Sequence, residues 1–209
     1  MTKLALALFF FLPICSIAEL VSTGVGVVRG QVVTSREVDA LTLIGLSLAD
    51  STKDKFKNPP LDSKVFAKNV QETLIEAAIA LEAQSFNVVQ LSGDEVTNAE
   101  KKVRSSLKTV PAWKGLKVTD LEFRSWLKRK LQAKKFIQFR AQSSVLPVTD
   151  IEAQKYFNEN RLKFGNLPFE NFKENIKTYL SREQVDRRLK DWYDLLLNKY
   201  QVKNLLAEI

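Results

Sequence analysis

The chain has 209 residues, 45% of them hydrophobic, with 32 Lys and Arg against 24 Asp and Glu and a formal net charge of +8. It has no His, one Cys and one Met, so Ser-His-Asp and Cys-His catalysis and the His-containing and multi-Cys zinc sites cannot be assembled. The hydrophobic and charged fractions are those of a folded globular protein, and the length suits one domain or two small ones.

Met1-Thr2-Lys3 carries one positive charge, Leu4 to Ile14 is rich in Leu and Phe, and Ser16-Ile17-Ala18 offers small residues for a signal peptidase. Residues 1–18 therefore read as a secretory signal peptide cleaved after Ala18. The apolar run is short for a membrane span. A lipoprotein would use Cys15, but Ile14 stands where a small residue is wanted. Cleavage leaves 191 residues and removes Lys3, which lowers the balance to +7. The remaining domain, residues 19–209, has no Cys, Met or His, so its stability rests on a packed core and not on disulfides.

Thr23 to Val33 alternates small and β-branched residues around Arg29-Gly30, which predicts a hairpin with a two-residue turn. The chain is helical from there on. Thr34–Glu37, Ser92–Glu95, Thr119–Glu122 and Thr149–Glu152 have capping-box spacing, and Ser181–Gln184 is the Gln form. Helices are expected over Thr34–Asp50, Asp62–Phe86, Ser92–Thr109, Thr119–Gln142 and Thr149–Leu162. Pro111 to Gly115 reads as a break. Phe169 to Asn198 reads as one helix, or two parted near Ser181. Leu74 to Ala83 is apolar on nearly every side, which marks its helix as the central one. Tyr200 to Leu205 alternates like a strand. A lone hairpin is marginal in water, so this strand should pair with the N-terminal hairpin. The fold expected is mainly α: about six helices plus a small antiparallel sheet joining the two ends.

Three segments resemble the SurA-type periplasmic chaperones. The first is Val27-Val28-Arg29-Gly30-Gln31-Val32-Val33 followed by Thr34-Ser35-Arg36-Glu37-Val38. The second runs from Leu107 to Val148, a Gly-containing loop and then Phe123-Arg124 leading a basic helix to a Pro. The third is Phe172 to Leu205, with Leu189, Trp192, Leu196 and a closing Val-Lys strand. Family members commonly carry parvulin-type prolyl isomerase domains before the last helix. Here only a short connection stands there, residues 164–167 at its centre. The resemblance thus implies a chaperone core without isomerase activity: no enzyme, and no cofactor or metal.

Other patterns are weaker. Gly24, Gly26 and Gly30 do not have dinucleotide-loop spacing. Ser105–Lys108 and Ser125–Lys128 match a serine–lysine pattern, but sit mid-helix without companion motifs. The charge anomaly is the helix from Thr119 to Gln142, with Arg124, Lys128, Arg129, Lys130, Lys134, Lys135 and Arg140 against Asp120 and Glu122. It reads either as a solvated face, Lys stems covering apolar surface, or as an attractive field for acidic clients or anionic envelope surfaces.

The aromatics Trp113, Phe123, Trp126, Phe136 and Phe139 lie in or beside it. One helix cannot turn them all toward a single core, which makes them candidate peptide contacts. Lys128, Arg129, Lys130, Lys134 and Lys135 would form an electrostatic rim. Together with the resemblance, these features imply ATP-independent holding of unfolded polypeptides, outer-membrane protein precursors among them, in the periplasm, with no nucleic-acid partner. The alternative is a non-enzymatic envelope adaptor that binds one folded partner or an anionic surface.

Overall fold

The computed structural model describes residues 22–51, 56–88 and 90–208, with the side chains of 207 and 208 set aside. The proposed signal segment, residues 1–18, lies outside the described residues.

The chain begins with strand β1 (Gly24–Val28) and strand β2 (Gln31–Thr34). Arg29 and Gly30 between them both have positive φ, 50° and 79°, the backbone of a two-residue turn that follows strand twist. Helix α1 (Ser35–Leu48) follows at once. Helix α2 (Lys64–Phe86), α3 (Gly93–Leu107), the short α4 (Pro111–Gly115), α5 (Asp120–Ser143), α6 (Asp150–Glu159) and α7 (Lys173–Lys199) complete the helices among the described residues. Strand β3 (Lys203–Asn204) closes the sheet in the order β2-β1-β3, both pairings antiparallel. The expected architecture is present, with the hairpin paired to the C-terminal strand.

The caps explain most helix starts. Thr119 and Thr149 form complete reciprocal boxes with Glu122 and Glu152. Thr34 and Ser92 each accept one backbone N–H, from Glu37 and Glu95. Each such cap is worth roughly 1 kcal/mol. Ser63 caps α2 in the same way, a start the boxes do not announce.

Three expectations need correction. Ser181 caps nothing, because α7 runs unbroken past it. Pro111 does not end structure but starts α4, since Pro at the first helical position gives up only an N–H that lacks a partner anyway. The C-terminal strand shrinks to Lys203–Asn204. Gln201 takes a left-handed φ of 49° while the Val202 N–H donates to the Leu197 carbonyl at 2.9 Å, so the first half of the expected strand terminates α7.

Helix α2 is the central element, as its all-round apolar middle predicts. Its Phe66, Val70, Leu74 and Ile79 are fully buried, each worth roughly 1.5–3 kcal/mol. They belong to a first core that joins the sheet to the C-terminal parts of α5 and α7 through Ala133, Phe136, Trp192, Leu196 and Tyr200. A second core joins α1, α3 and the start of α5 through Ile44, Val103, Leu107, Phe123 and Leu127. A third, smaller cluster holds α6 against the start of α7 through Ala153, Phe157 and Ile176, with Phe164, Phe169 and Phe172 packed on it.

Candidate functional site

Helix α5 lies along α2, and its first and last thirds bury different side chains in different cores. Phe123 is 2% exposed in the second core, edge-on to Trp113 with ring centroids 5.9 Å apart. The Arg104 guanidinium covers its other side at 4.3 Å. Phe136 is 1% exposed in the first core, against Phe86, Phe139 and Trp192. The stripe 123, 127, 133, 136 drifts around the axis, which is how one helix serves two cores.

The aromatic set proposed as a single peptide-binding surface is therefore divided. Phe123 and Phe136 are core anchors and are withdrawn as peptide contacts. Trp113 and Trp126 are half-buried at the second core, with the Arg36 guanidinium 5.7 Å from the Trp126 ring. Phe139, at 43%, is the exposed member, stacked on Phe136.

The basic rim is divided too. Arg129 pairs with Glu37 at 2.6 Å and lies 3.9 Å from Glu76. Lys130 pairs with Glu76, its stem lying against α1 at Gly45. Lys135 pairs with Glu95 at 2.8 Å, and that bond lowers the Glu95 pKa below the ordinary carboxyl value. Lys128 and Lys134 make no ion pair among the described residues. Three of the five rim cations are thus paired inside the protein, where they tie α5 to α1, α2 and α3.

A groove flanks each side of the α2–α5 seam. The first, about 460 Å³, runs beside β2. Val33, Ala77, Ala80 and Leu81 supply its apolar part; Gln31, Glu37, Gln84, Ser125, Lys128, Arg129 and Gln132 supply its polar part. Arg129 keeps two buried guanidinium nitrogens, Nε and Nη2, without hydrogen-bond partners. The second groove, about 420 Å³, is more apolar, with Leu48, Ile75, Ile79, Ala133, Ile137 and Tyr193 in its walls and Lys130 and Lys134 at its margin.

Strand β2 gives the first groove its distinctive chemistry. Its inner side pairs with β1, and no strand pairs with its outer side among the described residues. Val28 and Gln31 close the two-residue turn and Val27 faces Val32. Bonds alternate along an antiparallel pair, so the Val32 N–H and C=O point to the open edge. Val32 is also 59% exposed.

Protein-family models, curated proteins and solved structures were all compared with the chain, and none matches it. The groove and its edge stand on their own geometry.

Among the described residues, no group of His, Cys, Asp and Glu is arranged to hold a metal ion, and no helix is long and apolar enough to cross a membrane. Sequence reasoning missed Val32 and Gln132 as groove residues. The sheet order held the signal: once the C-terminal strand takes one side of β1, β2 becomes an edge.

Proposed function

We propose that this chain is an ATP-independent chaperone that holds unfolded polypeptides, outer-membrane protein precursors among them, without prolyl isomerase activity. The observation that carries this reading is the open edge of β2, with the Val32 N–H and C=O pointing outward, beside a partly apolar groove. Backbone pairing does not depend on side-chain sequence, so an edge strand accepts many clients. A client segment would lie antiparallel to β2 and bond to the Val32 backbone. Alternate side chains would enter the groove over Ala77, Ala80 and Leu81. Lys128, which makes no ion pair among the described residues, would raise the encounter rate. The SurA-like segments support the same reading, and export through residues 1–18 would place it in the periplasm.

The test is binding of several unrelated unfolded peptides, followed by fluorescence anisotropy, for the wild type and for Val32→Pro. A Pro at Val32 removes the outward N–H and leaves the inner ladder bonds in place. Micromolar binding of most peptides, weakened about tenfold in the variant, is expected. Unchanged binding by a folded Val32→Pro variant removes the strand-addition mechanism. Binding of one folded partner only, with no unfolded peptide bound, removes the chaperone reading.

A further inference from the structure

A third cavity, about 480 Å³, opens between α1 and α4. Asp39 lines it. That residue is only 7% exposed, and its Oδ1 has no hydrogen-bond partner. An ionised carboxylate held this way forgoes the water it had in the unfolded chain and receives nothing in return. Helix capping does not account for it, because Asp39 sits in the second turn of α1, beyond the groups that a cap serves.

Neighbouring cations do not account for it either. Arg36 shares the cavity wall, but its guanidinium makes four hydrogen bonds elsewhere. Its Nη1 and Nη2 donate to the two oxygens of Glu122 at 2.6 and 2.9 Å, its Nε to the Leu116 carbonyl at 2.7 Å, and Nη2 also to the Lys117 carbonyl at 3.0 Å. Lys57 is exposed at the mouth and makes no ion pair among the described residues. The remaining walls are Phe56, Pro111, Ala112, Gly115 and Leu116, with Ser35 and Asn58 as their polar members. Such walls with one unsatisfied acid suit a ligand with an apolar body and one positive end.

We propose that this cavity binds a primary ammonium group on a short aliphatic stem, with the Asp39 carboxylate as its counter-charge. The stem lies against Phe56, Pro111 and Leu116, and the ammonium donates to the Asp39 carboxylate, which has no hydrogen-bond partner at Oδ1 in the free protein. A compact ammonium fits a single buried oxygen, whereas a guanidinium needs both oxygens side by side. A divalent cation needs several oxygen ligands, and Asp39 has no second acid beside it in the cavity wall. The burial of Asp39 also pushes its carboxyl up to about 6, which leaves it mostly ionised at neutral pH and ready to pair. This site is separate from the β2 groove and stands whether or not that groove binds clients.

The ligand chemistry has two sources, a free aliphatic amine or a lysine side chain on a polypeptide. The experiment titrates the full ¹⁵N-labelled protein with n-pentylamine, with n-pentanol, and with a short Gly-Ser peptide carrying one central Lys or norleucine. Backbone amide shifts of Ser35, Arg36 and Leu116 are followed. Saturable shifts with n-pentylamine, at least about tenfold weaker with n-pentanol and in the Asp39→Asn variant, are expected. The Asn side chain keeps the shape of Asp, and circular dichroism checks that the variant is folded. Binding of the Lys peptide as well as the amine assigns the site to polypeptide lysines. Binding of the amine alone assigns it to free amines. Equal responses to n-pentylamine and n-pentanol in the wild type overturn the proposal, as does undiminished n-pentylamine binding by folded Asp39→Asn.

Discussion

Arg36 on α1 and Glu122 on α5 face each other as a two-point ion pair across 86 residues of sequence, with N–O distances of 2.6 and 2.9 Å. Glu122 also accepts the Thr119 backbone N–H and hydroxyl, both at 2.8 Å. One carboxylate therefore both caps α5 and clamps it to α1. The Arg36 hydrogen bond, foremost among several, holds the Glu122 carboxyl down at about 2. Its contribution to stability is complete above the ordinary value of 4.5 and is lost as pH falls through about 2. Glu122→Gln should lower stability by ~1 kcal/mol at pH 7, the partly exposed setting keeping the figure small. Urea unfolding at pH 7, 4 and 2.5 checks this: the difference from wild type should shrink at the acid end.

Asp39 has the opposite sign. Its carboxyl stands at about 6 when folded, above the ordinary 3.8. Such a group opposes folding when ionised, so the penalty is complete above about 6 and disappears as pH falls below 3.8. Arg36, committed to Glu122, and the exposed Lys57 are the charged side chains that share its cavity. Asp39→Asn should stabilise the protein by about 1–2 kcal/mol at pH 7.5 and leave it unchanged at pH 3.5. Thermal melts at the two pH values measure this without any ligand.

Gly26 and Gly30 should respond differently to Ala. At Gly26 a Cβ would stand 2.6 Å from Leu74 Cδ2 and 3.0 Å from the Lys203 carbonyl oxygen. Leu74 is buried and Lys203 contributes backbone, so neither can withdraw freely. Gly26→Ala should cost about 1–3 kcal/mol. Gly30 meets nothing within 4 Å, and only its φ of 79° resists a side chain, at about 1 kcal/mol. Denaturant midpoints of the two variants should keep that order.

Phe136 and Phe139 are in contact yet serve different ends. Phe136→Ala empties the first core and should cost about 3–5 kcal/mol. Phe139→Ala, on a half-exposed ring, should cost less than about 1 kcal/mol. Equal losses would show that the exposed ring carries packing its surface position does not reveal.

Lys128 should act on rate. Lys128→Glu should slow association with acidic unfolded peptides several-fold in low salt, and the difference should fade as ionic strength rises. Stopped-flow fluorescence at two salt concentrations checks this.

Helix order and the pairing of the two ends were legible because local signals agree with the tertiary structure. Ser and Thr caps precede apolar periodicity, and the Leu74–Ala83 run has no polar side to offer water. Ser181 shows where that logic stops, since the same spacing inside a helix has no free N–H groups to satisfy. Phe123 and Phe136 were misread because spacing along one helix does not reveal that two cores lie beside it. The Lys and Arg count of α5 misled for a related reason: partners such as Glu37, Glu76 and Glu95 come from three other helices. Asp39 gives no sequence signal, because its burial depends on Pro111 and Leu116, more than seventy residues away.

The sheet's middle strand has a kinetic consequence. Val27 pairs with Lys203, so β1 gains its second neighbour only when nearly the whole described chain has come together. That closure costs more entropy than any helix-to-helix contact made on the way. Helical segments and the β1–β2 hairpin can form early, whereas the addition of β3 is a late event. A chain threaded through a pore from its N-terminus would stay without its finished sheet until β3 had cleared the exit.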